Sequence, residues 1–140
     1  VGVIGLGFIG KQHVEALRRL PYIEIVAGSD SNLSMREWCE KNGIQKYYSD
    51  YKEMLTNENM DVVHNCTPNN FHYEVSCEIL KTGCHVYSEK PLTIKSVEGE
   101  SLIELADKKG LKTAVNFNYR NNLMVQEIPF RLLRILHISQ

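Results

Sequence analysis

The sequence has no apolar run long enough to cross a membrane, and no basic leader precedes an apolar core at its start. Neither a membrane span nor a signal peptide is therefore expected. Low-complexity tracts and flexible linkers are absent, and nothing repeats beyond an alternation of strand and helix patterns. Charge of one sign is not in excess. Sixteen Lys and Arg stand against 17 Asp and Glu, for a net charge of -1, so there is no global electrostatic case for a nucleic-acid or anionic-membrane partner. The four cysteines, Cys39, Cys66, Cys77 and Cys84, show no C-x-x-C spacing, and the five histidines show no H-x-x-x-H pairing. No metal site is expected, and the cysteines read as reduced thiols of a cytoplasmic protein. What remains is a hydrophobic content of 43% over 140 residues, enough for one domain with a core but not for two. Because the chain starts at Val1 rather than Met, a few leading residues are expected to have been trimmed.

The most informative stretch is Val1 to Gly10, an apolar run that stops at Gly5, Gly7 and Gly10 in G-x-G-x-x-G spacing, with Phe8 and Ile9 between the last two. A strand, a tight turn and a helix N-terminus in that order can hold a pyrophosphate. A helix is expected over Lys11 to Leu20, ended by Pro21, with Ile9, Val14, Leu17 and Leu20 on one face. A second strand is expected over Ile23 to Gly28, and Asp30 follows it, 20 positions after Gly10. A dinucleotide fold needs a carboxylate there for the adenosine ribose, and that carboxylate would repel a 2′-phosphate, favouring NAD over NADP.

The rhythm continues in short elements. Ser31 or Asn32 caps a helix over Leu33 to Lys41, Tyr47 and Tyr48 form a strand, and Ser49 or Asp50 caps a helix to Leu55. Strands are expected at Asp61 to Cys66, Cys84 to Ser88 and Lys112 to Asn116. Helices are expected at Phe71 to Lys81, with Val75, Ile79 and Leu80 inward, and from a Thr93 cap to Lys109, with Val97, Leu102, Leu105 and Ala106 inward. This alternation implies a Rossmann-type α/β fold: one domain in three layers, with a doubly wound parallel sheet. Ligands of such sheets bind beyond the carboxyl ends of the strands. That rule gathers Gly5 to Gly10, Asp30, Thr67 to His72, and Glu89 and Lys90 on one rim.

Thr67, Pro68 and Asn69 offer a hydroxyl, an amide and a fixed backbone to a nicotinamide ribose or phosphate. His72, in the first helical turn, is a candidate to face the crevice. Lys90 stands between Glu89 and Pro91, where an ammonium can polarise a carbonyl or hold a substrate hydroxyl, with Glu89 as ion-pair partner or cofactor contact.

Taken together, Gly5-x-Gly7-x-x-Gly10-x-x-His13, Asp30, Thr67-Pro68-Asn69-x-x-His72, Glu89-Lys90-Pro91-Leu92 and Asn118-Tyr119-Arg120 strongly resemble the N-terminal half of the Gfo/Idh/MocA family of oxidoreductases, over about Val1 to Gln126. The resemblance implies an NAD- or NADP-binding domain and hydride transfer at a hydroxyl carbon of a sugar, cyclitol or similar polyol. It implies the proton-transfer lysine at Lys90, the pyrophosphate loop at the three glycines and the ribose-reading position at Asp30. Thr67, Asn69 and His72 fall beside the nicotinamide and Arg120 near the cofactor, while His13 matches a position read here as packing or helix-start chemistry. A second domain, usual in the family and often its oligomer interface, is expected to be missing from these 140 residues or altered. Residues 1–120 read as the cofactor domain and 121–140 as the start of a missing or altered domain. The run from Ile128 onward fits no family pattern, so a fragment or a reading-frame change near Glu127 is expected. The alternative is a non-catalytic dinucleotide-binding sensor or regulatory module; a methyl-donor site is disfavoured by Glu89-Lys90-Pro91.

Overall fold

A computed structural model describes residues 1–123 and 125–127; the unusual run from Ile128 lies outside the described residues. The elements are β1 (Gly2–Ile4), α1 (Phe8–Leu17), β2 (Ala27–Ser29), α2 (Met35–Lys41), β3 (Lys46–Tyr48), α3 (Tyr51–Asn57), β4 (Val62–Asn65), α4 (His72–Lys81), β5 (His85–Ser88), α5 (Ser96–Lys109) and β6 (Thr113–Val115). Short 3-10 turns span Asn69–Phe71 and Asn118–Asn121. All strands run parallel in the order β3-β2-β1-β4-β5-β6. Sequence-adjacent strands are neighbours except at the centre, where β1 pairs with both β2 and β4. That reversal of strand order is the switch point at which dinucleotide folds open their crevice.

The sheet has a hydrophobic cluster on each face. Val3, Leu6, Val14, Leu17, Cys39, Ile44 and Cys66 pack with α1 and α2. On the other face, Ile4, Val63, Val75, Ile79, Leu80, Val86, Leu102 and Ala106 pack with α3, α4 and α5. Strand β1, buried along its whole length, reads as an apolar run, whereas β4 and β5 alternate between buried and half-buried positions. All four cysteines are free, with Cys39, Cys66 and Cys84 buried. Burial pushes the Cys39 thiol up to about 11.

Several boundaries differ from expectation. Helix α1 begins at Phe8, directly on the glycine loop, and stops at Leu17, leaving Leu20 exposed. The second strand is only Ala27–Ser29: its register starts at Gly2 opposite Ala27, so Ile23 to Ile25 lie beyond the reach of β1. Their apolar side chains instead join the α1/α2 cluster. Helix α2 starts at Met35 because Asn32 accepts the Ser34 N–H at 3.1 Å, forming a turn rather than a cap. Of Ser49 and Asp50, it is Asp50 that caps α3, accepting from the Lys52 N–H at 2.9 Å. Thr93 does not cap α5: its hydroxyl donates to the Lys95 carbonyl, the helix begins at Ser96, and Val97 is exposed. Gly110 ends α5 with φ 68°, a left-handed stop that suits glycine. Among the described residues, no helix is long and apolar enough to cross a membrane.

Candidate functional site

Backbone bonds carry the sheet past its strand ends and align five loops on one rim. Gly5 N–H donates to the Ser29 carbonyl at 2.8 Å, Cys66 N–H to Ile4 at 2.8 Å, Glu89 N–H to Asn65 at 2.9 Å and Asn116 N–H to Ser88 at 2.8 Å. Between the loops after β1, β2, β3 and β4 lies a cleft of about 760 Å³. Gly5, Gly7, Phe8, Ile9, Asp30, Thr67 and Pro68 line it, together with Ser49, Asp50, Tyr51 and Phe71. The expectation missed Ser49 to Tyr51, although the strand-end rule extended to β3 would have included them.

Each glycine of the loop does a different job. Gly5 has φ 85°, and a Cβ there would strike the Cys66 carbonyl. A Cβ at Gly10 would land on the Gly5 carbonyl, so the helix can pack this close to the strand only as glycine. Gly7 is different: it is exposed, its φ is -67°, and an added Cβ would meet no atom of the described residues within 4 Å. Nothing inside the protein asks for glycine there. The requirement fits a group that approaches from outside, and the first turn of α1 has neither a side-chain cap nor an acidic residue to compete for its N–H groups. The loop thus fits the pyrophosphate of a dinucleotide.

Asp30 stands at the end of β2, where its Oδ2 accepts the Leu6 N–H at 2.7 Å and its Oδ1 the Asn32 N–H at 2.8 Å. The carboxylate therefore holds the glycine loop in shape, and each oxygen retains a lone pair for a further donor. Residues 1–117 match the Gfo/Idh/MocA model described as an oxidoreductase family with an NAD-binding Rossmann fold. The chain belongs to this family. It is 36% identical over 121 residues to myo-inositol 2-dehydrogenase of Thermotoga maritima, covering 86% of this chain and 36% of that one. Against D-glucoside 3-dehydrogenase of Escherichia coli it is 35% identical over 130 residues, covering 91% and 37%. The structure superposes on the WlbA dehydrogenase of Bordetella pertussis, solved in complex with NADH and UDP-GlcNAcA, with a TM-score of 0.87, 26% identity and coverage of 95% and 40%. The chain thus spans a little over a third of the length of the curated relatives it matches.

The other predicted site residues of this family member lie outside the cleft lining. Lys90 is exposed, and its ammonium has no hydrogen-bond or ion-pair partner among the described residues. The expected ion pair with Glu89 does not form, because Glu89 is turned inward and 6% exposed. Its Oε1 accepts from His13 Nε2 at 2.9 Å and from Asn116 Nδ2 at 2.6 Å, and its Oε2 accepts the Lys90 backbone N–H at 3.2 Å. Burial alone would raise the Glu89 carboxyl, but these donors overcome it and hold it below the usual carboxylate range.

His72 does not face the crevice either. It is fully buried, with Nδ1 2.6 Å from the Pro91 carbonyl and Nε2 2.8 Å from the Thr67 carbonyl. It ties the loop after β4 to the turn after β5. The Thr67 hydroxyl points inward to Asn65 Oδ1 at 2.7 Å, and Asn65 in turn donates to the His72 carbonyl and Ser76. Asn69 opens the 3-10 turn before α4, and Arg120 is exposed in the turn after β6; neither lines the cleft.

Behind Glu89 lies a polar cluster that sequence reading missed. His13 Nδ1 is 2.9 Å from His64 Nδ1 and 3.3 Å from Cys66 Sγ, His64 stacks on Tyr87 at 4.7 Å, and the Tyr87 hydroxyl donates to Asn116 Oδ1. Burial, then the neighbouring His13, pushes His64 down to about 4, so it is neutral near pH 7. Alternation along β4 and β5 places His64 and Tyr87 on the α1 face, but only the fold brings His13 to them.

Proposed function

We propose that this chain is the cofactor-holding part of an NAD-dependent dehydrogenase that moves hydride to or from a hydroxyl carbon of a sugar, cyclitol or similar polyol. The observation that carries the proposal is Lys90. Its exposed, unpaired ammonium stands on the same rim as the glycine loop. Its turn is gripped on both flanks, at Glu89 from within and at the Pro91 carbonyl by His72. A nicotinamide held on this rim would supply the hydride chemistry. Lys90 orients the substrate hydroxyl and moves its proton. His72, sealed from the crevice, serves as a positioning residue.

Two carboxylates, Asp30 and Asp50, line the cleft, and among the described residues no Lys or Arg does. That favours the free ribose of NAD over a 2′-phosphate. The three glycines, Phe8, Ile9, Thr67, Pro68 and Asn69 complete the cofactor contacts, with Arg120 beside them. The names of the relatives support a sugar or polyol substrate, and the buried free thiols support a cytoplasmic setting. We further propose residues 1–120 as the cofactor domain and 121–140 as the beginning of a second one, which the exposed Phe117, Tyr119, Leu123 and Val125 support.

The test has two parts. NADH titrated into the 140-residue chain should quench intrinsic fluorescence, with NADPH binding more weakly. The whole gene product, screened against cyclitols and glycosides with NAD, should turn over one of them. Absence of NADH binding would overturn the cofactor reading, and absence of turnover across that screen would overturn the substrate class.

A further inference from the structure

We infer that His13, through Glu89, is a positioning residue for Lys90, joining the helix of the glycine loop to the turn that carries the reactive ammonium. The inference rests on the role given to Lys90 above. His13 lies one and a half turns into α1, the helix that starts at Phe8 on the glycine loop. Its Nε2 faces Glu89 Oε1 at 2.9 Å across 76 residues of sequence. A ring nitrogen facing a carboxylate carries the proton, so Nε2 donates and Nδ1 turns to His64 and Cys66.

Glu89 then has no freedom left. Oε1 is shared by His13 and Asn116, and Oε2 holds the Lys90 N–H, so the carboxylate fixes the backbone from which Lys90 departs. A packing role alone would not need this chemistry. A buried carboxylate that lost His13 would have to find another donor or shift, and the Lys90 N–H would shift with it. Because α1 offers its first-turn amides to the pyrophosphate, the same rigid helix sets the distance between cofactor phosphates and Lys90. His72 grips the far side of the turn at Pro91, which leaves the Glu89 side to His13 and Asn116.

The experiment compares His13→Gln, which keeps a donor where Nε2 stands, with His13→Leu, which fills the space without one. In the 140-residue chain, hydrogen exchange of the Lys90 amide should quicken about tenfold or more in His13→Leu and return to within about threefold in His13→Gln. The Val3 amide and the NADH affinity should stay unchanged in both. In the whole gene product kcat should fall about tenfold in His13→Leu at constant KM, with His13→Gln restoring it. Equal Lys90 exchange in wild type and His13→Leu overturns the inference, as does rescue by Leu equal to rescue by Gln. Lys90→Ala separates the two readings. Wild-type turnover in that variant sinks the role of Lys90 itself. Its loss, alongside unaltered turnover and Lys90 exchange in His13→Leu, sinks only the tie through His13.

Discussion

The two halves of the rim are built in opposite ways. Around the glycine loop, binding capacity comes from backbone and from space: uncapped amides at the start of α1, an open Gly7, and a carboxylate at Asp30 that folds the loop as well as facing the cleft. Around Lys90, it comes from side chains locked by other side chains, with His13, Glu89, Asn116 and Tyr87 in one connected cluster and His72 on the opposite flank. A phosphate needs many weak donors in an arc, which main chain supplies without specific residues. An amine that handles a proton, the role proposed for Lys90, needs one group in one place, and that takes a scaffold.

The comparison predicts unequal responses to substitution. The largest belongs to Lys90. In the whole gene product Lys90→Ala should lower kcat by about 10²-fold or more while leaving NADH affinity in this chain unchanged. A rate near wild type would put the chemistry elsewhere. Next comes the cluster's response to acid. The depressed His64 value means that the unfolded chain takes up a proton the native chain resists. Stability is therefore full above about pH 6.5 and falls as pH drops toward 4, by at most about 3 kcal/mol. The depressed Glu89 carboxyl acts in the same direction at the acid end. Urea unfolding at pH 7 and pH 5 should show the loss, and His64→Phe should flatten it; a pH-independent midpoint in the wild type would mean that His64 titrates normally.

On the backbone side, Gly7→Ala should weaken NADH about tenfold with the unfolding midpoint unmoved, since the methyl meets solvent in the free protein. Gly10→Ala should instead destabilise the fold, by about 1–3 kcal/mol for an overpacked contact. Equal stability of the two variants would erase the distinction drawn between the glycines. The smallest effect is at Asp30. Asp30→Asn, which keeps an oxygen for the Leu6 N–H, should cost NADH about 1 kcal/mol, a lost hydrogen bond, and raise NADPH affinity. Unchanged selectivity would remove Asp30 from ribose reading.

This contrast also explains what could be read beforehand. The glycine spacing, Asp30 and the strand-helix alternation are local signals, because a turn, a close approach and a βαβ unit are each written within about thirty residues. A doubly wound parallel sheet followed from them. The cluster behind Lys90 was not legible. Glu89 beside Lys90 looks like an ion pair in sequence, and only the packing of α1 against β4 and β5 supplies it with a better-placed partner 76 residues away. His72 misled for a related reason. A histidine in a first helical turn looks available, but the Thr67 and Pro91 carbonyls meet on the inner side of that turn and draw the ring inward. Short strands such as β2 were overextended because Ile23 and Ile25, which lead into it, pack in the α1/α2 cluster before the register with β1 begins.

The central place of β1 has a consequence in time. It pairs with β2 on one edge and with β4 on the other, and Gly2 meets Val63 only after 60 residues of intervening chain. At about 5–20 residues per second on a ribosome, that edge waits roughly 3–12 seconds for its partner after β1 has been made. During the wait, a run of Val1, Val3 and Ile4 offers unpaired main chain to any strand that arrives. The strand that leads into the glycine loop is thus also left open to mispairing while the chain is being synthesised.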